Sequence, residues 1–144
     1  MEVKTFEKLP DEARMIRTEV FMKEQGFKNE FDENDKISIH IVLFDSSSPI
    51  ATCRVYYSEV RKCYVIGRIA VLKKYRGKNV GSELLKAAER EIVNRNGEAV
   101  ELSAQVRAEG FYEKNGYVSS KEEYMDEECP HVWMRKNICL SPYM

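Results

Sequence analysis

The stretch CYVIGRIAVLKKYRGKNVGSELLK, residues 63–86, decides how the rest of the chain is arranged. It opens with an apolar run at 64–72 that is rich in β-branched side chains and is typical of a buried strand. A short basic turn follows at 73–81. Beyond the turn, apolar residues recur at helical spacing, at Val80, Leu84, Leu85, Ala88 and Ile92. The sequence therefore predicts a strand, a glycine-containing basic loop and a helix in direct succession.

The junction between this loop and the helix predicts an anion-binding site. Backbone N–H groups at the start of a helix have no intrahelical partner, and the positive end of the helix dipole lies at the same place. Gly77 and Gly81 let the backbone come close to a ligand, where a Cβ would interfere, so we expect a phosphate or pyrophosphate. Two common phosphate loops do not fit. Ser82 stands where the kinase-type NTPase loop has lysine, and the glycines lack the spacing of the dinucleotide motif.

The composition of the whole chain excludes several classes of protein. A length of 144 residues predicts a single domain, 1–144, with a sizeable core. Charged residues make up 33% and the net charge is −1, which does not mark a protein that binds nucleic acid or membranes. No apolar run approaches the ~20 residues of a membrane span, and the N-terminus lacks a signal-peptide core. We therefore expect a cytoplasmic protein.

The cysteines and histidines do not predict a metal site. None of the four cysteines, Cys53, Cys63, Cys129 and Cys139, belongs to a C-x-x-C pair, so free thiols are expected. Cys129 and His131 are two residues apart, but the chain has only two histidines and no second pair of ligands.

Two blocks of sequence resemble the signatures of one enzyme family. RGKNVG at 76–81 matches the R/Q-x-x-G-x-G/A loop of the GNAT N-acetyltransferases, and GRIAVL at 67–72 is similar to the fourth strand of that family. Further along, AEGFYEKNGYV at 108–118 resembles the second GNAT signature, FYxxxGF. Asn79 replaces the first glycine of the loop pattern, and asparagine is the non-glycine residue that best tolerates positive φ.

Within the family, two further segments resemble the small bacterial ElaA/YjcF-like branch. These are VFMKEQGFKNEFDENDKISIH at 20–40 and PHVWMRK at 130–136. The acceptor of that branch is poorly defined, so this resemblance refines the predicted fold more than the predicted substrate.

Hydrophobic periodicity and turn residues predict the remaining elements. Before the central strand we expect a strand at 2–9, a helix at 11–24, an acidic loop or irregular helix at 27–35, and hairpin strands at 38–44 and 50–57. After it we expect a helix at 79–95, a strand at 99–104, a short helix at 105–114, a strand from Tyr117, an acidic connector at 121–128 and a last strand at 130–135. This order predicts an α/β (α+β) fold with a mixed sheet and helices on both faces. The GNAT resemblance implies the same order and a mostly antiparallel sheet of six or seven strands.

The GNAT resemblance implies acetyl-CoA, or another acyl-CoA, as the ligand of the loop. Backbone N–H groups from Gly77 to Ser82 would hold the pyrophosphate. The strand at 69–71 would pair with the amide-rich pantetheine arm, in a gap between two strands that splay apart. The predicted cofactor-binding residues are Ile69, Ala70, Val71, Arg76, Gly77, Lys78, Asn79, Val80, Gly81 and Ser82.

The resemblance also places Tyr112 near the thioester sulfur. Its hydroxyl would protonate the leaving CoA thiolate, because a phenol with a pKa of about 10 carries its proton at neutral pH. The alternative is a packing role beside Phe111. A base must also remove a proton from the acceptor ammonium, and His131 is the predicted base because imidazole titrates in a suitable range. The other candidates are His40, Glu24 and Glu101, of which His40 and Glu101 also have structural interpretations within their strands.

Two arginines lie within apolar strands, Arg54 and Arg68. A charge at such a position must be paired or must face a solvated cleft. Either these arginines form salt bridges with acids such as Asp32 or Glu33, or they line the acceptor pocket and bind an anionic group of the substrate. Trp133 is expected in the core.

These features predict an acetyl-CoA-dependent N-acetyltransferase that acts on a primary amine of a small molecule. The amine would attack directly in a ternary complex, with no acyl-enzyme. Two alternatives stay open: an acyl-CoA-binding sensor domain without turnover, and an acetyltransferase for protein lysines or N-termini. The acidic stretches at 30–35 and 122–128 would suit the second. Relatives often dimerise through sheet edges, which leaves a homodimer as an open alternative to a monomer.

Overall fold

The computed structural model describes residues 1–138. The strands are β1 Glu2–Phe6, β2 Ile39–Asp45, β3 Ser48–Ser58, β4 Cys63–Val71, β5 Ala99–Gln105, β6 Val118–Asp126 and β7 Cys129–Asn137. The α-helices are α1 Asp11–Arg17, α2 Asn34–Ile37, α3 Val80–Asn94 and α4 Glu109–Lys114. A π-helical segment, Thr18–Glu24, continues α1, and 3-10 turns at Lys73–Tyr75 and Val106–Ala108 precede α3 and α4. No helix of this part of the chain is long and apolar enough to cross a membrane.

The strands form one seven-stranded sheet in the order β1-β2-β3-β4-β5-β7-β6. Every neighbouring pair is antiparallel except β4 and β5, which are parallel because α3 connects them. The predicted α/β (α+β) fold with a mixed, mostly antiparallel sheet is therefore confirmed.

Helices cover both faces of this sheet, as predicted. Alternation along β2 directs Ile41 and Leu43 to one face and Val42 and Phe44 to the other. On the first face α3 packs through Val80, Leu84, Leu85, Ala87, Ala88 and Ile92. On the second face α1 and the π-helical segment pack through Ala13, Ile16, Val20 and Phe21. Burial of these apolar side chains holds both helical layers against the sheet.

The predicted helix at 11–24 is present, but its second half changes pitch. The N–H group of Gln25 donates to the carbonyl oxygen of Val20, five residues earlier, at 3.1 Å. Apolar spacing does not distinguish an α-helix from a π-helical turn over so short a segment, so the sequence could not predict the change. Strand β1 is also shorter than predicted, because it ends at Phe6 instead of Leu9.

One predicted element is wrong. The stretch at 121–128, expected to be an acidic connector, forms most of β6 and its turn into β7. β6 lies at the edge of the sheet and is exposed along nearly its whole length, so it has no apolar face that could give a strand pattern. Charged residues on an edge strand also oppose pairing with other chains. The acidic composition therefore marks an edge strand here instead of a loop.

Candidate functional site

A gap opens between β4 and β5. The two strands pair only at Tyr64 with Val100 and at Val65 with Glu101. Beyond this point β4 stays paired with β3 as far as Val71, and β5 stays paired with β7 on its other side. The facing edges of β4 and β5 therefore carry backbone N–H and C=O groups that do not pair with each other, and an extended amide-containing ligand could satisfy them.

A β-bulge bends β4 beside this gap. The register between β3 and β4 shifts across Thr52 and Arg54, where β4 holds one extra residue. Arg68 lies in the bulge with a φ of 52°, an unfavourable value for a non-glycine residue. Bulges bend a strand and re-aim its groups, and they are frequent next to active sites. Here the bulge contributes to the divergence of β4 from β5.

The loop before α3 has the form that its sequence predicted. Gly77 has a φ of 75° and Asn79 a φ of 67°, so asparagine takes the left-handed conformation that the GNAT pattern assigns to glycine. No side chain caps α3, whose first intrahelical hydrogen bond runs from the N–H of Glu83 to the carbonyl oxygen of Asn79 at 3.2 Å. The N–H groups of the first helical turn, from Val80 onward, therefore have no side-chain acceptor and point toward one end of the helix.

A cleft of about 660 Å³ lies against this loop. Its walls include eight of the ten predicted cofactor-binding residues: Ile69, Val71, Arg76, Gly77, Asn79, Val80, Gly81 and Ser82. The other two lie outside its lining. Ala70 is buried on the opposite face of the sheet and pairs with Thr52, and the Nζ of Lys78 lies 5.8 Å from the centre of the Tyr75 ring. We call this the loop cleft.

Gly81 has a packing role besides the ligand-binding role that the sequence predicts. A Cβ at this position would lie 2.9 Å from the Cζ of Phe111 on α4, too close for an undisturbed contact. The glycine therefore lets the start of α3 approach α4 closely. Sequence analysis attributed Gly81 to the ligand alone, because the position of α4 relative to α3 is a tertiary property.

The guanidinium group of Arg76 is already engaged within the protein. Its Nη atoms donate to both carboxylate oxygens of Glu24, at 2.6 and 2.7 Å, and its Nε donates to the carbonyl oxygen of Val71 at 2.9 Å. This contact shapes the loop and joins it to the end of the π-helical segment. The hydrogen bond from Arg76 lowers the pKa of Glu24, which makes Glu24 a weaker base.

A second cleft, of about 640 Å³, lies on the other side of the gap. It shares Ile69 and Ala108 with the loop cleft, so the two clefts meet at the splayed ends of β4 and β5. Both predicted catalytic residues, Tyr112 and His131, line it. We call this cleft the acceptor cavity, after the acceptor pocket that the sequence predicts beside Arg54 and Arg68.

Tyr112 reaches the acceptor cavity from α4. The residue is 8% exposed, and its ring packs edge-on against the rings of Phe111 and Tyr117, at centroid distances of 5.0 and 6.1 Å. Burial raises the pKa of its hydroxyl, since the phenolate would lose its hydration. The hydroxyl therefore keeps its proton at neutral pH, so its packing does not exclude the predicted role as an acid.

His131 has a defined tautomer. Its Nδ1 lies 2.8 Å from the carbonyl oxygen of Cys129. A carbonyl oxygen can only accept, so Nδ1 carries the hydrogen and the Nε2 of the neutral ring holds the free lone pair. The Tyr124 ring, 5.9 Å away between centroids, packs alongside the imidazole. The ring is therefore held in a form that can accept a proton.

The other candidate bases have structural partners. His40 is 1% exposed, its Nε2 donates to the carbonyl oxygen of Asp35 at 2.9 Å, and burial lowers its pKa. Glu101 accepts hydrogen bonds from Arg61 at 2.6 Å and from Arg135 at 3.0 Å.

Trp133, which was expected in the core, is only half-buried. The Cζ of Arg61 lies 3.9 Å from the centre of its ring, and Trp133 also lines the acceptor cavity.

Arg54 and Arg68 both pair with acids, as the structural interpretation predicted. Arg54 donates to Asp32 at 2.6 and 3.2 Å and to Asp35 at 3.0 Å, and Arg68 donates to Asp32 at 3.1 Å. Glu33, the other predicted partner, instead makes an exposed contact with Lys36. Both arginines also line the acceptor cavity, so their salt bridges form part of its wall.

Sequence analysis missed three members of this network, Arg17, Glu30 and Asp35. Arg17 is 1% exposed and donates to the Glu30 carboxylate at 2.9 Å and to Asp35 at 2.7 and 3.1 Å. Arg68 also contacts Glu30, through the carboxylate at 3.1 Å and the carbonyl oxygen at 2.9 Å. The signal was Arg17 itself, a charged residue within the apolar stripe of α1. The network ties the segment at 30–35 to the helix and to the sheet.

The three acids of the network differ in pKa because they differ in partners. Burial is the largest influence on each and raises the pKa of Glu30. In Asp35 the hydrogen bonds and charge of Arg17, followed by those of Arg54, outweigh burial and lower the pKa to about 2. In Asp32 the contacts with Arg54 outweigh burial and also lower the pKa. Among residues 1–138, no group of three or more His, Cys, Asp or Glu side chains could hold a metal ion.

Comparison with known proteins supplies independent information. The sequence model of the acetyltransferase (GNAT) domain matches residues 8–138. The uncharacterized N-acetyltransferase YjcF of Bacillus subtilis (strain 168) is 37% identical over 138 residues, which cover 93% of this chain and 96% of YjcF. The crystal structure of Escherichia coli ElaA covers 94% of this chain and 99% of its own, with a TM-score of 0.83 and 24% identity. The crystal structure of an aminoglycoside 6′-N-acetyltransferase complexed with coenzyme A covers 96% of this chain and 98% of its own, with a TM-score of 0.77 and 15% identity.

Proposed function

The chain belongs to the GNAT acetyltransferase family, and on this premise we propose that it transfers the acetyl group of acetyl-CoA to a primary amine of a small molecule. The observation that carries the proposal is the junction of the two clefts at Ile69 and Ala108. A ligand that filled the loop cleft and extended through the gap would present its far end to the acceptor cavity. An acyl carrier with an anionic end and a reactive thioester end has this form.

The loop residues fit the diphosphate of coenzyme A. Left-handed Gly77 and Asn79 and the uncapped start of α3 supply backbone N–H donors, and the helix dipole adds to the attraction for an anion. The unpaired edge of β4 fits the amides of the pantetheine arm. Since Arg76 is paired with Glu24, we assign the diphosphate to the backbone donors and give Arg76 the role of holding the loop.

Acetyl-CoA, when bound, supplies a thioester that a neutral amine attacks directly. The Nε2 of His131 takes the proton of the acceptor ammonium. A backbone N–H of β4 near Val71 donates to the carbonyl oxygen as it becomes negative. The hydroxyl of Tyr112 protonates the departing thiolate as the C–S bond breaks, and the second proton that the nitrogen loses on forming the amide restores the Tyr112 hydroxyl. The first proton, held on His131, then passes to solvent. No cysteine takes part, and burial raises the pKa of the Cys53 thiol, which disfavours its thiolate.

The shape of the acceptor cavity favours a small acceptor. Its volume of about 640 Å³ falls within the range of small-molecule sites, roughly 300–1,000 Å³. The segment at 27–30 forms one side of it and is joined to the β6–β7 turn by the hydrogen bonds of Lys28 and Asn29 to Glu127. A lysine on a folded protein needs an open groove, so a cleft of this volume with the segment at 27–30 along one side supports a free amine over a protein acceptor.

The loop assignment can be tested with a Ser82→Glu variant. An acid in the first turn of a helix is compatible with the helix dipole, so α3 should stay folded, whereas a negative charge near the diphosphate should weaken binding of acetyl-CoA by about 100-fold or more. Ser82→Gln, of similar size and without the charge, is the matched control. Calorimetric titration measures both, and equal affinities would contradict the assignment.

A thiol-release assay distinguishes the proposed reaction from its alternatives. The expected result is release of CoA with small primary amines and little release with lysine peptides. Tight binding of acetyl-CoA without release on any acceptor would favour a sensor domain. Release with peptides alone would favour a protein acetyltransferase.

A further inference from the structure

We infer that the segment Gln25–Glu30 is a lid over the acceptor cavity and that Glu127, in the β6–β7 turn, is the positioning residue that holds it closed. This inference rests on the proposed function for its meaning, because the cavity is the site where the acceptor amine would bind. The lid itself is a structural statement that can be tested separately.

The lid forms one side of the acceptor cavity. Gln25, Phe27, Asn29 and Glu30 line the cavity, although the segment has no helix or strand structure of its own. Phe27 packs against Phe21 of the π-helical segment at a centroid distance of 6.3 Å. Movement of this segment would therefore change the shape of the cavity without changing the sheet.

The two ends of the lid are anchored independently of Glu127. At one end, the Oε1 of Gln25 accepts a hydrogen bond of 2.8 Å from Gln105 at the end of β5. At the other end, Glu30 is held by Arg17 and Arg68 in the buried network. Next to the first anchor, Gly26 has a φ of 79° and ends the π-helical segment: its N–H donates to the carbonyl oxygen of Met22 at 3.1 Å, and the N–H of Phe27 donates to that of Phe21 at 2.8 Å. Lys28 and Asn29 lie between these anchors, and their backbone N–H groups depend on another contact.

That contact is made by a single carboxylate. The N–H of Lys28 donates to Oε1 of Glu127 at 3.0 Å, and the N–H of Asn29 donates to Oε2 at 3.4 Å. The partners are exposed and 98 to 99 residues apart in sequence. Both oxygens of one side chain thus bind consecutive backbone groups of the lid, which fixes the position of the lid relative to the turn.

The turn that carries Glu127 has an unfavourable backbone. Asp126 pairs with Cys129, so Glu127 and Glu128 are the two central residues, and their φ values are 48° and 66°. Hairpins of this kind favour Asn-Gly, because positive φ is unfavourable for residues with long side chains. Strain of this kind persists where the surroundings hold it in place, and it is concentrated at functional sites. Glu127 makes a contact across the cavity that a glycine or an asparagine could not make.

Because Glu127 and Glu128 both have positive φ, the same substitution at each gives a matched pair of variants. Glu127→Asn and Glu128→Asn each place a residue that tolerates positive φ in the turn, so each should leave the melting temperature unchanged or raise it. Only Glu127→Asn removes the contact with the lid. A Glu127→Gln variant keeps one side-chain carbonyl oxygen and should give an intermediate result.

Hydrogen exchange tests the lid without reference to activity. In Glu127→Asn the amides of Lys28 and Asn29 should lose protection, while those of β7 should not change. In Glu128→Asn the lid amides should behave as in the wild type. Equal exchange of the Lys28 and Asn29 amides in the wild type, Glu127→Asn and Glu128→Asn would overturn the inference.

Kinetics test whether the lid serves the acceptor. Loss of two hydrogen bonds to an exposed carboxylate should raise KM for the amine by about fivefold in Glu127→Asn, with the Kd for acetyl-CoA unchanged. Glu128→Asn should match the wild type in both constants. An unchanged KM in Glu127→Asn, or an equal rise in both variants, would refute the role of Glu127. If the wild type acetylated no small amine, the proposed function would fail, whereas the exchange result would still decide whether the lid exists.

Discussion

Replacement of Asp35 by asparagine tests whether the buried charge network holds the wall of the acceptor cavity. Asp35 is 8% exposed and accepts hydrogen bonds from Arg17, from Arg54 and from the backbone N–H of Asp32. Asparagine has nearly the same shape but no charge. Asp35→Asn therefore removes the interaction of the carboxylate with two buried guanidinium groups and changes little else.

The expected loss of stability follows from the pKa of Asp35. Its carboxyl has a pKa of about 2 in the folded protein against a usual value of 3.8. At about 1.4 kcal/mol per pH unit of difference, the charged form contributes about 2.5 kcal/mol to the free energy of unfolding at pH 7. Removal of one partner from a buried ion pair commonly costs about 3–5 kcal/mol, so the estimate from the pKa is a lower bound.

The lowered pKa of Asp35 also determines how its contribution to stability changes with pH. A carboxyl group with a lowered pKa stabilises the protein fully above its unfolded value, near 4, and this stabilisation is lost as the pH falls through the folded value of about 2. About half of the contribution should remain at pH 3. Glu30, whose pKa burial raises, works in the opposite direction but is present in both proteins. The difference between wild type and Asp35→Asn should therefore shrink between pH 7 and pH 3.

Urea denaturation at the two pH values measures this difference. Glu33→Gln is the matched control, because Glu33 lies in the same segment, is exposed and contacts only Lys36 among the described salt bridges. It should change stability by less than about 0.5 kcal/mol. A loss below about 1 kcal/mol for Asp35→Asn at pH 7, or a loss that stays constant down to pH 3, would refute the argument that the carboxylate is a tightly bound buried charge.

Two further predictions concern catalysis. Tyr112→Phe should lower kcat about tenfold or more with KM for acetyl-CoA little changed, because the role proposed for the buried hydroxyl is to protonate the leaving group and not to bind acetyl-CoA. An unaltered kcat would remove its role as acid. His131→Ala should lower kcat by a factor on the order of 100, and added imidazole should restore part of the rate by entering the space left in the acceptor cavity. A full rate in this variant would show that the amine reaches its neutral form without His131.

Local sequence was sufficient for the elements around the loop. The apolar run before Lys73, the positive-φ residues Gly77 and Asn79, and the helical periodicity after Val80 are each properties of neighbouring residues. Steric limits on φ and the 3.6-residue period act over a few positions, so the chain alone predicts strand, loop and helix there. The same holds for most boundaries in the sheet. It fails at β6, because an edge strand exposed on both faces has no alternating pattern to detect.

The walls of both clefts depend on contacts between distant residues. Arg76 and Glu24 are 52 residues apart, Arg68 and Asp32 are 36 apart, and Lys28 and Glu127 are 99 apart. The chain has 23 basic and 24 acidic side chains. Opposite charges attract whatever their separation in the sequence, so the sequence does not specify which of them form pairs. Glu33 and Asp35 show the difficulty, since both are acids of one segment and only Asp35 is buried against Arg17.

The sequence by itself thus determined the family, the order of the elements and the loop whose backbone can bind an anion. Tertiary structure alone decided that β4 and β5 separate after Val65, that Arg76 is paired with Glu24, and that the lid reaches Glu127. The physical reason is that backbone conformation is set mainly by near neighbours, whereas the shape of a cavity and the pairing of charges are set by how complete elements pack.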